Sequence, residues 1–141
     1  MTRQQTSLVA KSSGIAAGVG SLLAAGIHQG FGGPEVSETL TAAQGQVPAG
    51  FLAQIEAAWI AGTASFVLLG VGLLWAALQR QGWLYSLGRA AAVWFVVVAI
   101  AFVWVAPNWG AGGVPAQAML LLILGGLAAV ASALSAPRRV R

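Results

Sequence analysis

The chain has 141 residues, of which 58% are hydrophobic and only 7% are charged, and its formal net charge is +4. Soluble domains average about 25% charged residues, so this composition excludes an ordinary water-soluble domain. The absence of cysteine excludes disulfides, thiolate metal sites and cysteine nucleophiles. The seven basic residues do not cluster with aromatic residues, which argues against nucleic acid as a partner.

An apolar run at about residues 9–28 predicts the first membrane span, because about 20 apolar helical residues cross a hydrocarbon core. The basic segment before it also resembles a secretory signal peptide. We expect an uncleaved helix, since the charges of the later spans are consistently placed only if this run stays in the membrane. Small residues recur along it at steps of three and four, and His28 continues their stripe: Gly14, Gly18, Ser21 and Ala25. This stripe predicts close packing against a partner helix.

Residues 29–55 are the most polar part of the chain and predict an extracytoplasmic loop. A run of helix-breaking residues predicts the end of the first helix: Gly30, Gly32, Gly33 and Pro34. A short helix beginning at Ser37 and stopped by Gly45 fits the next segment, and an irregular loop is the alternative. Pro48 is suited to the first turn of a helix and therefore predicts where the second long helix begins.

The second span is predicted at residues 57–78, which carry no charge. It has its own stripe of small residues: Ala58, Gly62, Ser65, Gly72 and Ala76. Two neighbouring helices with such stripes predict an antiparallel pair. Residues 81–89 predict a short polar turn. The uncharged run that follows is too long for one crossing, and residues 107–115 divide it into spans at 90–106 and 116–136.

The charged residues indicate the orientation. Given these spans, every base falls on one side of the membrane and every carboxylate on the other: Arg3, Lys11, Arg80, Arg89, Arg138, Arg139 and Arg141 against Glu35, Glu38 and Glu56. By the positive-inside rule both termini are cytoplasmic. The prediction is an all-α integral membrane four-helix bundle, one domain over residues 1–141, with the amino and carboxyl termini inside.

The predicted outer ends of the helices collect polar and aromatic side chains that predict a ligand-binding site: His28, Gln29, Glu56, Trp59, Trp104, Asn108, Trp109 and Gln117. Such a pocket suits a lipid, a quinone or another amphipathic molecule. The alternative is that these residues are ordinary interface anchors.

The sole histidine, His28, has two interpretations. It is either an acid or base tuned by Glu56 or Glu35, or a structural residue that bonds a carbonyl of the glycine-rich turn. One imidazole and scattered carboxylates lack the spacing of metal ligands, so we expect no metal and no cofactor.

The run Gly26, His28, Gly32, Gly33, Glu35 and Val36, followed by a tryptophan at the start of the second span, resembles small four-helix bacterial membrane proteins without an assigned activity. The resemblance covers the first half of the chain. It implies a multi-pass protein of the bacterial inner membrane in which His28 and the glycine turn belong together. It brings no catalytic residues with it.

We therefore expect a protein without catalytic activity. Its partners would be the lipid bilayer together with a larger membrane complex, further copies of the chain, or a hydrophobic or amphipathic molecule at the outer face. The short loops leave no room for a separate catalytic domain. The alternative is a membrane enzyme that acts on a lipid-like or quinone-like substrate with His28 and Glu56 as its catalytic residues.

Overall fold

The computed structural model describes residues 2–79, 81–105 and 114–136. These residues are helical apart from Thr2, the connection at 43–48 and residues 135–136. The helices are α1 (Arg3–Ile27), a π-helical segment (His28–Gly32), α2 (Gly33–Ala42), α3 (Ala49–Gln79), α4 (Gln81–Val105) and α5 (Val114–Leu134). Since α1, the π-helical segment and α2 follow one another without a break, they form one long rod. The described residues thus form four rods, each long and apolar enough to cross a membrane, and the predicted all-α architecture is confirmed at this level.

The rods pack antiparallel around a ring, α1 beside α3, α3 beside α4, α4 beside α5, and α5 back beside α1. Two of these pairs are each joined by a hydrogen bond from a serine side chain to a backbone carbonyl. Ser21 Oγ of α1 donates to the carbonyl oxygen of Phe66 on α3, and Ser132 Oγ of α5 donates to that of Tyr85 on α4, both at 2.8 Å. Both serines are buried, so these bonds form away from water.

The backbones of α1 and α3 touch where two glycines meet. A Cβ added to Gly18 would lie 2.9 Å from the carbonyl oxygen of Gly70, and a Cβ added to Gly70 would lie 3.0 Å from that of Gly18. The small-residue stripe predicted on α1 is therefore its contact face.

The stripe predicted on α3 is displaced from the contact with α1 by one position. Ala58 is exposed, and Gly72 lies nearest to Leu87 of α4. Gly62, in contrast, still lies near the imidazole of His28, which would be 3.8 Å from an added Cβ. The residues of α3 that meet α1 include larger side chains: Trp59, Thr63, Phe66, Gly70, Leu74 and Ala77. Selection by small size could not find Trp59 and Phe66, because these large aromatic side chains fill part of the interface.

The core lies on the inward faces of the four rods. Phe95 and Leu73 are almost completely buried there, and the ring of Phe95 stacks on Phe66 with the centroids 6.0 Å apart. The outward faces carry large apolar side chains in the open, such as Leu68 at 73% and Val93 at 64% exposure. A continuous apolar exterior of this kind is unfavourable in water and is what lipid-facing helices present.

The predicted helix break at the glycine-proline run is wrong. The chain passes through the π-helical segment into α2, with Gly32 and Gly33 both in helical conformation. A proline ring inside an α-helix clashes with the carbonyl four residues earlier. The wider π turn directly before Pro34 accommodates that ring, so the helix continues. The predicted loop at 29–55 thus consists mostly of helix, and the chain reverses at Gly45, whose φ is +81°.

The polar turn predicted at 81–89 is also wrong, because α4 is already helical from Gln81. Its glycine at position 88 is a packing residue. A Cβ there would lie 2.8 Å from the carbonyl oxygen of Ala128 and 2.9 Å from the side chain of Ser132. Gly88 therefore allows α4 and α5 to approach closely.

Candidate ligand-binding site

Antiparallel packing brings the end of α1, the first half of α3, the end of α4 and the start of α5 to one end of the bundle. All three carboxylates of the chain belong to this end, which we call the acidic end: Glu35, Glu38 and Glu56. The described bases Lys11 and Arg89 lie toward the opposite, basic end. Arg89 bonds the hydroxyl of Tyr85, whose backbone contacts the end of α5.

His28 is held between α1 and α3 at the acidic end. Its ring stacks on the indole of Trp59 with 3.6 Å between centroids and 14° between planes, and the ring of Phe66 lies 6.0 Å away. Imidazole Nδ1 lies 2.9 Å from the hydroxyl of Thr63. The predicted bond of His28 to a carbonyl of the glycine-rich run is thus replaced, at Nδ1, by a bond to a side chain of α3.

The hydroxyl of Thr63 joins several groups of the site. Besides the imidazole, it lies 3.3 Å from the carbonyl oxygen of Trp59, one turn earlier on α3, and 3.3 Å from Oε1 of Gln29. Gln29 follows His28 in the π-helical segment. Thr63 therefore connects two consecutive residues of the first rod to the backbone of the second.

Trp59 is enclosed on a second side by the π-helical segment. A Cβ added to Gly32 would lie 2.6 Å from Cη2 of the indole, so only glycine fits there without moving the ring. The indole Nε1 is buried and has no hydrogen-bond partner among the described residues. A buried donor without a partner costs about 1–3 kcal/mol, so an acceptor that reached Nε1 would relieve an existing penalty.

A cavity of about 560 Å³ opens beside His28 between α2 and the first half of α3. We call it the main cavity. Its walls are mostly apolar, and the residues that define it include His28, Phe31, Glu35, Val36, Phe51, Ile55, Trp59, Phe102 and Gln117. Its volume falls within the range of about 300–1,000 Å³ that is typical of small-molecule sites.

A smaller cavity of about 80 Å³, the inner cavity, lies deeper between the helices. It is lined by Ala24, Ile27, His28, Phe66, Phe102, Gln117, Leu120 and Leu121. His28, Phe102 and Gln117 border both cavities. The imidazole therefore stands where a mostly apolar cavity with a carboxylate in its wall adjoins an almost wholly apolar one.

Four of the eight residues predicted for the site come together around this junction: His28, Gln29, Trp59 and Gln117. Glu56 is exposed and lines another pocket, of about 380 Å³, which borders the main cavity at Leu40, Val47 and Leu52 but is not lined by His28. Trp104 is 79% exposed and lines none of the three cavities. Asn108 and Trp109 lie outside the described residues.

Three residues of the site were missed from the sequence: Thr63, Phe66 and Phe102. A signal for Thr63 was present in the antiparallel register. If Gly18 meets Gly70, each step forward along α1 is matched by a similar step back along α3. A partner for His28 is then expected near residues 59–63, where Thr63 is the nearest hydroxyl.

No family model, curated protein or solved structure matches this chain. The resemblance to small bacterial membrane proteins therefore stays a prediction. Function has to be inferred from the cavities and the groups that line them.

Proposed function

We propose that this protein is a four-helix bundle of the bacterial inner membrane that binds one amphipathic small molecule in the main cavity. The carrying observation is the position of His28 at the junction of the main and inner cavities, where Thr63 and Trp59 hold the imidazole in place. A few fixed polar groups in a largely apolar pocket are the usual composition of a small-molecule site. The apolar part of the ligand lies against the hydrophobic walls, and its polar head lies at His28.

The lengths of the rods support a site at the membrane boundary. The rod from Arg3 to Ala42 contains 40 residues, or about 60 Å of helix, and α3 contains 31 residues, or about 46 Å. Both exceed a hydrocarbon core of about 30 Å. Counting about 26 Å along α1 from Lys11 reaches His28. By the positive-inside rule the acidic end is extracytoplasmic, so α2 and the start of α3 project outward as a hairpin above the site.

The charges near the cavity limit the chemistry of the ligand's head. Glu35 lines the main cavity, and the described residues that line this cavity include no lysine or arginine. An anionic head such as a phosphate or carboxylate would face a like charge without a compensating base, which is unfavourable at the edge of a low-dielectric region. The proposed ligand therefore has a head without negative charge.

The separation of His28 and Glu56 favours binding over catalysis. An acid-base pair acts through groups within hydrogen-bond reach of one another or of the same substrate. Here the two side chains line different cavities. The side chains that position the imidazole, Thr63 and Trp59, supply no acid or base. Glu35 lines the same cavity as His28, but among the described residues no hydrogen bond joins the two.

Native mass spectrometry of the protein extracted in mild detergent tests the proposal. We expect one small lipid-soluble molecule per chain. Val36→Trp should reduce its retention, because Val36 lines the main cavity and the indole would occupy part of the space for the ligand. The control is Val93→Trp, the same substitution at a position 64% exposed on the outside of the bundle, which should retain the molecule.

Equal occupancy in the wild type and Val36→Trp would contradict a site in the main cavity. An empty wild-type protein that instead carries a stoichiometric protein partner would favour the subunit role.

A further inference from the structure

The hydroxyl of Thr63 has one proton and three neighbours. Two of them, the carbonyl oxygen of Trp59 and Oε1 of Gln29, can only accept a hydrogen bond. If the proton pointed at Nδ1 of His28, both oxygens would face an oxygen lone pair at 3.3 Å with no proton between them. If the proton points at either oxygen, Thr63 instead accepts from Nδ1–H at 2.9 Å, and two hydrogen bonds form where one formed before. Proton placement therefore favours the tautomer with its proton on Nδ1.

A neutral imidazole with its proton on Nδ1 carries a free lone pair on Nε2. Among the described residues Nε2 has no hydrogen-bond partner, and it does not belong to the buried unpaired atoms, which comprise only Trp59 Nε1. His28 lines both cavities. The free lone pair is thus open to a molecule at the junction of the two cavities, and the stack on Trp59 fixes the plane in which it lies.

An acceptor at Nε2 discriminates between oxygen-containing heads. A hydroxyl group donates its proton to the lone pair, whereas a ketone, quinone or ether oxygen carries no proton to donate. A site that bonds a hydroxyl in an apolar surrounding rejects the analogue that lacks it, because the protein group is then left unpaired. Thr63 sets this preference without touching the ligand, so it is a positioning residue.

We infer that the molecule bound in the main cavity presents an alcoholic or phenolic hydroxyl that donates a hydrogen bond to Nε2 of His28. The inference rests on the proposed function and names the chemical group that the same site recognises. For a ligand with a quinone and a quinol form, the site selects the reduced form, since only the quinol carries hydroxyl protons.

The tautomer can be measured without any ligand. His28 is the sole histidine, so protein labelled with ¹⁵N-histidine gives the signals of one imidazole. At a pH at which the ring is neutral, we expect the ¹⁵N chemical shift of Nδ1 to be that of a protonated nitrogen and the shift of Nε2 to be that of an unprotonated nitrogen. Thr63→Val removes the hydroxyl and should increase the population of the other tautomer, whereas Thr63→Ser keeps the hydroxyl and should preserve the wild-type spectrum. A proton on Nε2 in the wild type would overturn the inference.

Binding is measured with two probes of nearly the same shape, 4-octylphenol and its methyl ether 4-octylanisole, by titration calorimetry in nonionic detergent with empty micelles as the blank. One hydrogen bond corresponds to a preference of roughly three- to tenfold for the phenol. We expect this preference in the wild type and in Thr63→Ser. In Thr63→Val it should fall to less than about twofold, because the tautomer is no longer fixed.

The outcomes separate this inference from the proposed function. Equal binding of both probes to the wild type overturns the hydroxyl preference and leaves the binding site standing. Binding of neither probe above the micelle blank, together with an empty protein in native mass spectrometry, overturns the proposed function. Should Thr63→Val not fold, the wild-type spectrum and the wild-type ratio of the two probes still decide the question.

Discussion

Replacing Gly18 by alanine adds one methyl group where α1 and α3 approach most closely. The new Cβ would lie 2.9 Å from the carbonyl oxygen of Gly70 and 3.1 Å from the backbone nitrogen of Leu74. Both atoms belong to the backbone of α3 and cannot rotate away. To restore an ordinary contact of 3.4 Å, the two helices have to separate by about 0.5 Å. The hydrogen bond from Ser21 to α3, now 2.8 Å long, lies one turn away and would lengthen as well.

The expected loss of stability can be estimated by comparing Gly18→Ala with a matched control. Overpacking typically costs about 1–3 kcal/mol, and a glycine-to-alanine change in a helix gains about 1 kcal/mol of propensity. Gly26 lies in the same helix with no atom within 4 Å of its added Cβ, so Gly26→Ala has the propensity gain alone. The propensity term cancels between the variants, and Gly18→Ala should be less stable than Gly26→Ala by about 1–3 kcal/mol. Titration with sodium dodecyl sulfate in mixed micelles, followed by circular dichroism, measures this difference. If Gly18→Ala were as stable as Gly26→Ala, backbone contact would not determine how close the two helices lie.

Three further predictions use the same logic. Ser21→Ala should destabilise the bundle by about 0.6–1.7 kcal/mol, because it removes a hydrogen bond between helices. In the same detergent titration Ser65→Ala should have little effect, since that hydroxyl bonds only a carbonyl of its own helix. Gly32→Ala should move the Trp59 indole off the imidazole and reduce the ring-current shift of the histidine protons in NMR spectra, while Gly30→Ala should leave that shift unchanged, because nothing lies within 4 Å of its added Cβ. Reporter fusions at Gln44 and at the carboxyl terminus should appear in opposite compartments, and a shared compartment would contradict the four-span topology.

The long apolar runs were sufficient to predict the four rods, and the α1 stripe was sufficient to predict its contact face. The errors arose where glycine was interpreted as a helix breaker. Gly32 and Gly88 both lie inside helices and sit against Trp59 and against the backbone of α5. A single sequence does not distinguish a glycine that ends a helix from a glycine that allows close packing. The second kind is required by a residue on a neighbouring helix, which the local sequence does not show.

Half of the predicted site residues meet at one place, since positions at the same helix ends converge in an antiparallel bundle. The pairing of His28 with Glu56 was proposed from charge alone, and the structure instead places Thr63 at the imidazole. Thr63 was overlooked because it stands one position from the small-residue stripe assigned to α3. A register error of one residue rotates a helix by about 100°, which exchanges one set of neighbours for another.

The position of the main cavity follows from the order of small and large residues along the interface between α1 and α3. At Gly18 and Gly70 the backbones of α1 and α3 are in contact. Ten residues farther along α1, about 15 Å, the imidazole of His28 and the indole of Trp59 are stacked between the same two helices. Rings of that size require the helices to diverge toward the acidic end, and the main cavity occupies the space beyond them. The glycine contact therefore sets the angle of the two rods, the stacked rings hold them apart, and a variant that alters either feature should change ligand retention even though it touches no ligand.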